Sequence, residues 1–174
     1  MAAFHLEELS SKLATLIREF RPQVVLTHPY EGGHPDHDAC ALAVACADQA
    51  QRKGPILPVI VEAAFYHAGA NGIETGCFLR SGAGSCCTHE VIRRLSPEEN
   101  ARRRALLDCF PTQRETLQYF RGDIERYRIA PAYDFSRPPH SGTLFYERHP
   151  WGMTGVKFCE LARRALQNCE ALCA

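Results

Sequence analysis

No stretch of this 174-residue sequence approaches the roughly 18 consecutive apolar residues that a membrane-spanning helix requires. The N-terminus also lacks the basic segment followed by an apolar segment that marks a secretory signal peptide. We therefore expect a cytoplasmic protein without a membrane span.

An excess of charge of either sign is also absent, because 20 Lys and Arg residues balance 20 Asp and Glu residues. Binding to nucleic acid or to an anionic membrane surface usually depends on a net positive charge or a basic patch. The basic cluster formed by the arginines between positions 93 and 104 is interleaved with Glu98 and Glu99. We therefore predict a solvated helix face there and no nucleic-acid partner.

Paired cysteine motifs are missing too. The nine cysteines are odd in number, irregularly spaced and without a C-x-x-C pair, which argues against a disulfide framework and a zinc finger. Most of them lie in predicted helices, where cysteine usually acts as a small apolar residue. Cys86 and Cys87, in a glycine- and serine-rich loop, are the most reactive candidates. A hydrolase with a cysteine nucleophile is an alternative, but no cysteine–histidine spacing supports it.

What the chain does contain is an alternation of helical and extended apolar patterns. Residues 4–20 carry apolar side chains at helical spacing, and residues 23–27 form a short β-branched run typical of a buried parallel strand. The further predicted helices are 35–51, 97–109, 112–121 and 154–173, and the further predicted strands are 58–67, 77–80 and 143–148. This order predicts a layered α/β domain with a mostly parallel sheet.

The segment HPYEGGHPDHDACA, residues 28–41, follows the first predicted strand. Open α/β sheets bind their ligands at that edge. In His34-Pro35-Asp36-His37 the proline starts a helix and leaves two histidines three residues apart on one helix face. Neutral imidazole is a common zinc ligand, and a nearby carboxylate can orient the ring. The constellation therefore predicts a metal or catalytic site, although a catalytic zinc usually takes three protein ligands.

Three segments resemble the PIG-L/LmbE-like family of zinc-dependent N-acetylglucosaminyl deacetylases, in particular a bacterial branch of it. The segment VVLTHPYEGGHPDHDACALAVACA, at 24–47, resembles the family's second signature, in which a strand leads through a glycine-rich loop into His-Pro-Asp-His and a helix. Residues 102–113 and 125–155 resemble two later stretches. The resemblance implies a Rossmann-like three-layer fold and hydrolysis of linear amide C–N bonds in N-acetylated, glucosamine-containing or related small substrates.

The resemblance also implies roles for individual residues. His37 matches the zinc-ligating histidine, and His34 matches the histidine that stabilises the oxyanion as a cation and helps protonate the leaving amine. Asp36 matches the carboxylate that orients and charges its histidine neighbours. The implied cofactor is zinc or another divalent metal. Some members have a tyrosine where this chain has Gly32, so we leave Tyr30 outside the predicted site.

One family signature is missing. The first signature, Ala-His-Pro-Asp-Asp-Glu, supplies two zinc ligands and the general base, but the 33 residues before His34 do not contain it. His28-Pro29-Tyr30-Glu31 and His149-Pro150-Trp151 resemble it superficially and lack both aspartates. We therefore expect residues 1–174 to be a single domain that is incomplete on its N-terminal side, with a homo-oligomer or a complementing N-terminal segment as partner.

The alternative function is a non-catalytic carbohydrate-binding or interaction fragment of the same fold. The aromatic residues Phe145, Tyr146 and Trp151 bear on this alternative, because they either stack on a sugar ring or pack within the protein.

Overall fold

The computed structural model describes residues 1–51, 57–70, 72–79 and 89–173, the last five as backbone only. Its helices are α1 (Leu6–Phe20), α2 (Pro35–Gln51), α3 (Pro97–Asp108), α4 (Arg114–Leu117) and α5 (Gly155–Cys173). Its strands are β1 (Val24–Thr27), β2 (Val59–Ala63), β3 (Tyr66–Gly69), β4 (Gly72–Thr75), β5 (Val91–Arg94) and β6 (Ile124–Ile129). Short 3-10 turns lie at Ala2–Phe4, Pro111–Gln113, Gln118–Phe120 and Phe145–Arg148.

Local sequence signals explain where several helices begin and end. α1 ends at Phe20 because Arg21 adopts a left-handed conformation (φ 47°) immediately before a proline. α2 begins at Pro35, whose fixed φ suits the first position of a helix. α3 begins after a capping box in which the Ser96 side chain accepts a hydrogen bond from the Glu99 backbone. These three predictions are confirmed.

The main sheet has the strand order β1–β2–β6–β5 among the described residues. β1 and β2 are parallel. The chain between them contains α2, which provides the long crossover connection that two parallel strands require. β6 lies antiparallel to both β2 and β5. The mixed α/β class is therefore confirmed, but the sheet is mostly antiparallel rather than mostly parallel and is not clearly Rossmann-like. The apolar runs that predicted the strands indicate burial and carry no information about direction.

The core lies in the helical layer, where α1, α2 and α5 pack against one another. Leu42 of α2 and Phe158 of α5 have no exposed surface, and Tyr146 from the last 3-10 turn is equally buried between the elements. The buried cluster also includes Leu6, Tyr30, Phe135, Leu144 and Met153. The segment that follows β1 leads directly into α2. The packing of α2 in this core therefore holds that segment in place.

Several predicted strands differ in the structure. The predicted strand 58–67 divides at Ala64 and Phe65 into β2 and β3, and β3 forms a hairpin with β4. The predicted strand 143–148 is instead the 3-10 turn Phe145–Arg148. Residues 77–79 form no strand, and Arg80 lies outside the described residues.

Helical predictions were closer to the structure. The predicted helix 112–121 is divided between α4 and the 3-10 turns on either side of it. None of the helices in the described part of the chain is long and apolar enough to cross a membrane.

Candidate active site

The candidate site is the segment from His28 to His37 between β1 and α2, which we call the histidine loop. It begins at the carboxyl end of β1 and its last residues form the first turn of α2, where the backbone N–H groups of His37 and Asp38 both donate to the His34 carbonyl. Gly33 lies so close to β3 that a Cβ there would be 2.0 Å from the Tyr66 carbonyl oxygen. Gly33 is therefore required by the approach of the hairpin to the loop, whereas Gly32 has a φ of +71° and a Cβ there would be 2.7 Å from Leu144 Cδ2.

Three imidazoles of the loop lie together. The rings of His28 and His37 are stacked, with centroids 4.1 Å apart and planes 17° apart. The His34 ring lies 5.1 Å from that of His37. Phe65 and Tyr66 contact His37 with their ring edges, at 4.8 and 5.3 Å. The structure thus brings together the two histidines predicted from the sequence and adds His28, which the sequence analysis assigned to loop structure.

The surroundings of His37 favour its neutral form. Burial, and to a smaller extent the charges of His28 and His34, lower the pKa of His37 to about 3. Neutral imidazole is the form that can bind a metal ion, because its unprotonated nitrogen carries the lone pair.

His34 has a defined tautomer. Its Nδ1 accepts a hydrogen bond of 3.0 Å from the backbone N–H of Asp36, so the proton of the neutral ring lies on Nε2. Burial lowers the pKa of His34, while the neighbouring Asp36 opposes this shift. When its ring is neutral, His34 therefore donates through Nε2.

Asp36 is positioned less directly than predicted. Its Oδ1 accepts a hydrogen bond of 2.6 Å from the backbone N–H of Ala2, and its Oδ2 lies 3.9 Å from His34 Nδ1. The carboxylate therefore ties the N-terminal turn to the start of α2. Its influence on His34 is electrostatic, and its backbone N–H makes the direct bond.

The carboxylate that holds the loop is Asp38, which the sequence analysis did not select. It is completely buried, and its Oδ1 accepts hydrogen bonds from the backbone N–H groups of Glu31 and Gly32, at 3.2 and 3.1 Å. Burial raises the pKa of Asp38 to about 8, although these two bonds oppose the shift. A second aspartate at the start of α2 was visible in the sequence, but its burial depends on the packing of the helical layer.

A second buried carboxylate connects the loop to the sheet. Glu31 Oε1 accepts a 2.7 Å hydrogen bond from the Leu79 backbone N–H and lies 3.6 Å from the guanidinium of Arg128 in β6. Arg128 also binds Glu62 of β2 at 2.9 Å, and the Tyr133 hydroxyl donates to the same carboxylate at 2.9 Å. These buried charges fix the position of the loop against β2 and β6.

Tyr30 is excluded from the site by its position. Its side chain is buried, and its hydroxyl donates to the Arg137 carbonyl at 2.9 Å. Its ring packs between Phe135 and Phe158 of the core.

Two residues from a distant segment complete the surface of the site. Trp151 lies 4.8 Å from His34 between ring centroids, and the His149 ring is stacked on Trp151 at 4.4 Å. Trp151 is 37% exposed, whereas Tyr146 of the same segment is in the core. The aromatic content of this segment was noted in the sequence, but its contact with His34 is a product of the fold.

The described residues do not complete a zinc site at the histidine loop. One group of His, Cys, Asp or Glu side chains in the described ranges has three ligand atoms within 4.8 Å of one another, and it lies elsewhere, at His67, Glu74 and Cys77. Around the histidine loop, the described side chains form no such group of three.

Three cysteines in the described part of the chain are poorly suited to act as nucleophiles. Burial raises the pKa of Cys40, Cys77 and Cys159, so each of these thiols is less reactive than an ordinary cysteine. Cys86 and Cys87, the predicted reactive pair, lie outside the described residues.

Comparison with known families supports the resemblance for the N-terminal segment. A family model described as PIG-L: GlcNAc-PI de-N-acetylase matches residues 1–47, which include α1, β1 and the whole histidine loop. Comparisons with curated proteins and with solved structures gave no match. The resemblances at 102–113 and 125–155 lie outside the matched residues and stay predictions. Through its first 47 residues, the chain is consistent with a PIG-L/LmbE-like family member.

Proposed function

We propose that the chain acts as a metal-dependent hydrolase that removes acetyl groups from N-acetylated, glucosamine-containing or related small substrates, with its chemistry at the histidine loop. The observation that carries the proposal is the pair His34 and His37 on the first turn of α2, inside the segment that matches a de-N-acetylase family. The described residues bring no group of three ligand atoms together at this loop, so a catalytic zinc bound there would need ligands beyond His37.

His34 is proposed to stabilise the negative charge that develops on the amide oxygen. Its Nε2 carries the proton, and its side chain is 27% exposed, so it can donate to a substrate. A preoriented donor of this kind is most effective in the transition state, where the oxygen is most negative. Proton transfer to the departing amine is the second role that the resemblance implies for this ring.

His37 and Asp36 are proposed to support this donor. Burial and the charges of His28 and His34 lower the pKa of His37, which favours the neutral ring that a metal ligand requires. Asp36 holds the His34 tautomer through its backbone N–H and adds negative charge 3.9 Å from the ring. Its side chain contributes charge rather than a direct hydrogen bond.

A non-catalytic carbohydrate-binding fragment is the second candidate function. Trp151 favours it, because an exposed indole stacked on His149 and adjacent to His34 offers an aromatic surface to a sugar ring. The two candidates differ in whether the acetyl group is released.

The test measures acetate release from N-acetylglucosamine-containing substrates together with zinc content. Because zinc at the loop needs ligands beyond His37, the protein tested carries an added N-terminal segment with the missing first signature. A Cys77→Ser background removes one thiol from the other ligand group. His34→Ala should reduce turnover roughly 100- to 1000-fold and retain zinc. His37→Ala should lose zinc and turnover together. Asp36→Asn should cost roughly 10- to 100-fold.

His5→Ala is the matched control, because the His5 side chain is exposed and outside the histidine loop. Loss of zinc in His34→Ala with retention in His37→Ala would reverse the two assignments. Sugar binding that depends on Trp151, without any acetate release by the parent protein, would support the carbohydrate-binding fragment instead.

A further inference from the structure

A second cluster of ligand residues lies on the β3–β4 hairpin, away from the histidine loop. His67 of β3 is directly opposite Glu74 of β4, so their side chains share one face of the hairpin. Cys77 follows two residues after the end of β4. One ligand atom from each of the three lies within 4.8 Å of the other two.

His67 has the properties of a histidine prepared for a ligand. It is 3% exposed, and its Nδ1 lies 3.0 Å from the carbonyl oxygen of Ala68. If Nδ1 donates to that carbonyl, the lone pair of the neutral ring is on Nε2, which is buried and has no hydrogen-bond partner among the described residues. Histidines that bind metals commonly donate their other N–H to a backbone carbonyl in this way.

The spacing of Cys77 and Glu74 matches that of two ligands of one ion. Cys77 Sγ donates to Glu74 Oε1 across 3.3 Å. In a tetrahedral zinc site, Zn–S and Zn–O bonds of about 2.3 and 2.0 Å place the sulfur and oxygen about 3.5 Å apart. The thiol proton between Cys77 Sγ and Glu74 Oε1 therefore lies where a metal ion bound by both atoms would lie.

We propose that His67, Glu74 and Cys77 form a binding site for a divalent metal ion of the zinc class. Imidazole, thiolate and carboxylate together favour zinc over magnesium or calcium, which prefer oxygen ligands alone. Binding deprotonates Cys77, and the released proton goes to solvent. With three protein ligands, the fourth position of the ion is left for water or another small ligand.

Access to the site and its neighbours indicate what the ion does. Cys77 lines an open cavity of about 630 Å³ beside Phe65 and Phe120, so ions can reach it from solvent. The hairpin in turn packs against the histidine loop through Tyr66. A metal ion that joins β3, β4 and Cys77 stabilises this hairpin, and the inference does not depend on the proposed deacetylase function.

Cobalt(II) titration of the metal-free full chain tests the site, because thiolate ligation gives an intense near-ultraviolet absorption band. We expect one such band that saturates at one cobalt per chain and is displaced by zinc. Cys77→Ser should abolish the band. His67→Gln and Glu74→Gln should each weaken cobalt binding at least roughly tenfold.

Two control variants distinguish this site from other ligands. Cys109→Ser removes an exposed cysteine elsewhere and should leave the band unchanged. His37→Ala should also leave it unchanged, which separates this site from the histidine loop. A band that survives in Cys77→Ser would assign the thiolate to another cysteine and overturn the proposal. If buried His67 cannot be replaced without unfolding, the exposed Glu74→Gln variant decides, and unchanged affinity there contradicts the site.

Discussion

Leu42 of α2 and Leu26 of β1 belong to adjacent elements of the same chain, yet Leu42 has no exposed surface and Leu26 is 61% exposed. The same difference in exposure separates the helical layer from one face of the main sheet. The apolar sides of α1, α2 and α5 bury one another, whereas one face of the main sheet leaves Val24, Leu26, Val59 and Ile129 in contact with solvent in the described structure.

The register explains why these exposed residues form one surface. Val24 is opposite Val59, and Ile129 is opposite Val61, so their side chains lie on neighbouring strands. β1 is also the edge strand of the described sheet. The comparison shows that the helical layer supplies the apolar stabilisation of this fold, while the apolar composition of β1 contributes little to it. The expectation that residues 23–27 are buried is therefore wrong for this face.

The largest effect should come from a matched pair of leucine substitutions. Leu42→Ala leaves a cavity in the helical layer and should lower the free energy of unfolding by about 2–5 kcal/mol. Leu26→Ala removes the same atoms from an exposed position and should cost less than about 1 kcal/mol. Urea unfolding monitored by circular dichroism measures both. Equal losses would mean that the face around Leu26 is covered in solution.

A smaller, pH-dependent effect on the free energy of unfolding should come from Glu31, which lies between the helical layer and the sheet. Burial raises the pKa of Glu31 to about 7, against the opposing effects of the Leu79 N–H and Arg128. The unfolded chain releases this proton near the ordinary glutamate pKa, whereas the folded protein keeps it until about pH 7. Stability should therefore fall as the pH rises through this window, by about 1.4 kcal/mol per pH unit if Glu31 alone titrates.

Glu31→Gln should flatten this part of the stability profile, because glutamine can accept the Leu79 hydrogen bond without a charge. Asp38, Glu62 and His37 also have shifted pKa values, so the difference between the two profiles, rather than either profile alone, reports on Glu31. Glu115→Gln, at an exposed position, is the control and should leave the profile unchanged. A Glu31→Gln profile with the same slope between about pH 5 and 7 as that of the parent protein would contradict the assignment.

The smallest effect on stability should come from Leu26→Lys. An exposed apolar face next to an edge strand promotes self-association, and a lysine there opposes it. We expect a change of less than about 0.5 kcal/mol in the free energy of unfolding. Sedimentation velocity should nevertheless show less association at high protein concentration. Ala45→Lys, which adds the same charge to an exposed position of α2, should leave association unchanged.

The sequence predicted the features that depend on neighbouring residues. The helical spacing in α1, Pro35 at the start of α2 and the Ser96 capping box each act within one or two turns, and all three appear in the structure. Strand direction was not predictable in this way. β6 pairs with β2 from about 66 residues away, as the Glu62–Arg128 pair shows, and no local pattern encodes that pairing.

In the candidate site too, features set by neighbouring residues were predicted and features set by distant contacts were not. His34 and His37 were predicted because three residues of helix place them on one face. The contacts of His34 with Trp151 and of His37 with Phe65 depend on the packing of distant segments. The hairpin ligands were not predicted, because the sequence pattern over 58–67 indicates one continuous strand and so hides the pairing of His67 with Glu74.

Asp38 gives the histidine loop a folding property of its own. Its bonds to the backbone of Glu31 and Gly32 join residues only seven and six positions apart. Closing a segment of about ten residues takes on the order of 10–100 ns, whereas pairing over long sequence separations is slow. The turn that carries the histidines can therefore form before the sheet is assembled, and it can act as an early, local nucleus onto which β2 and β6 later pack.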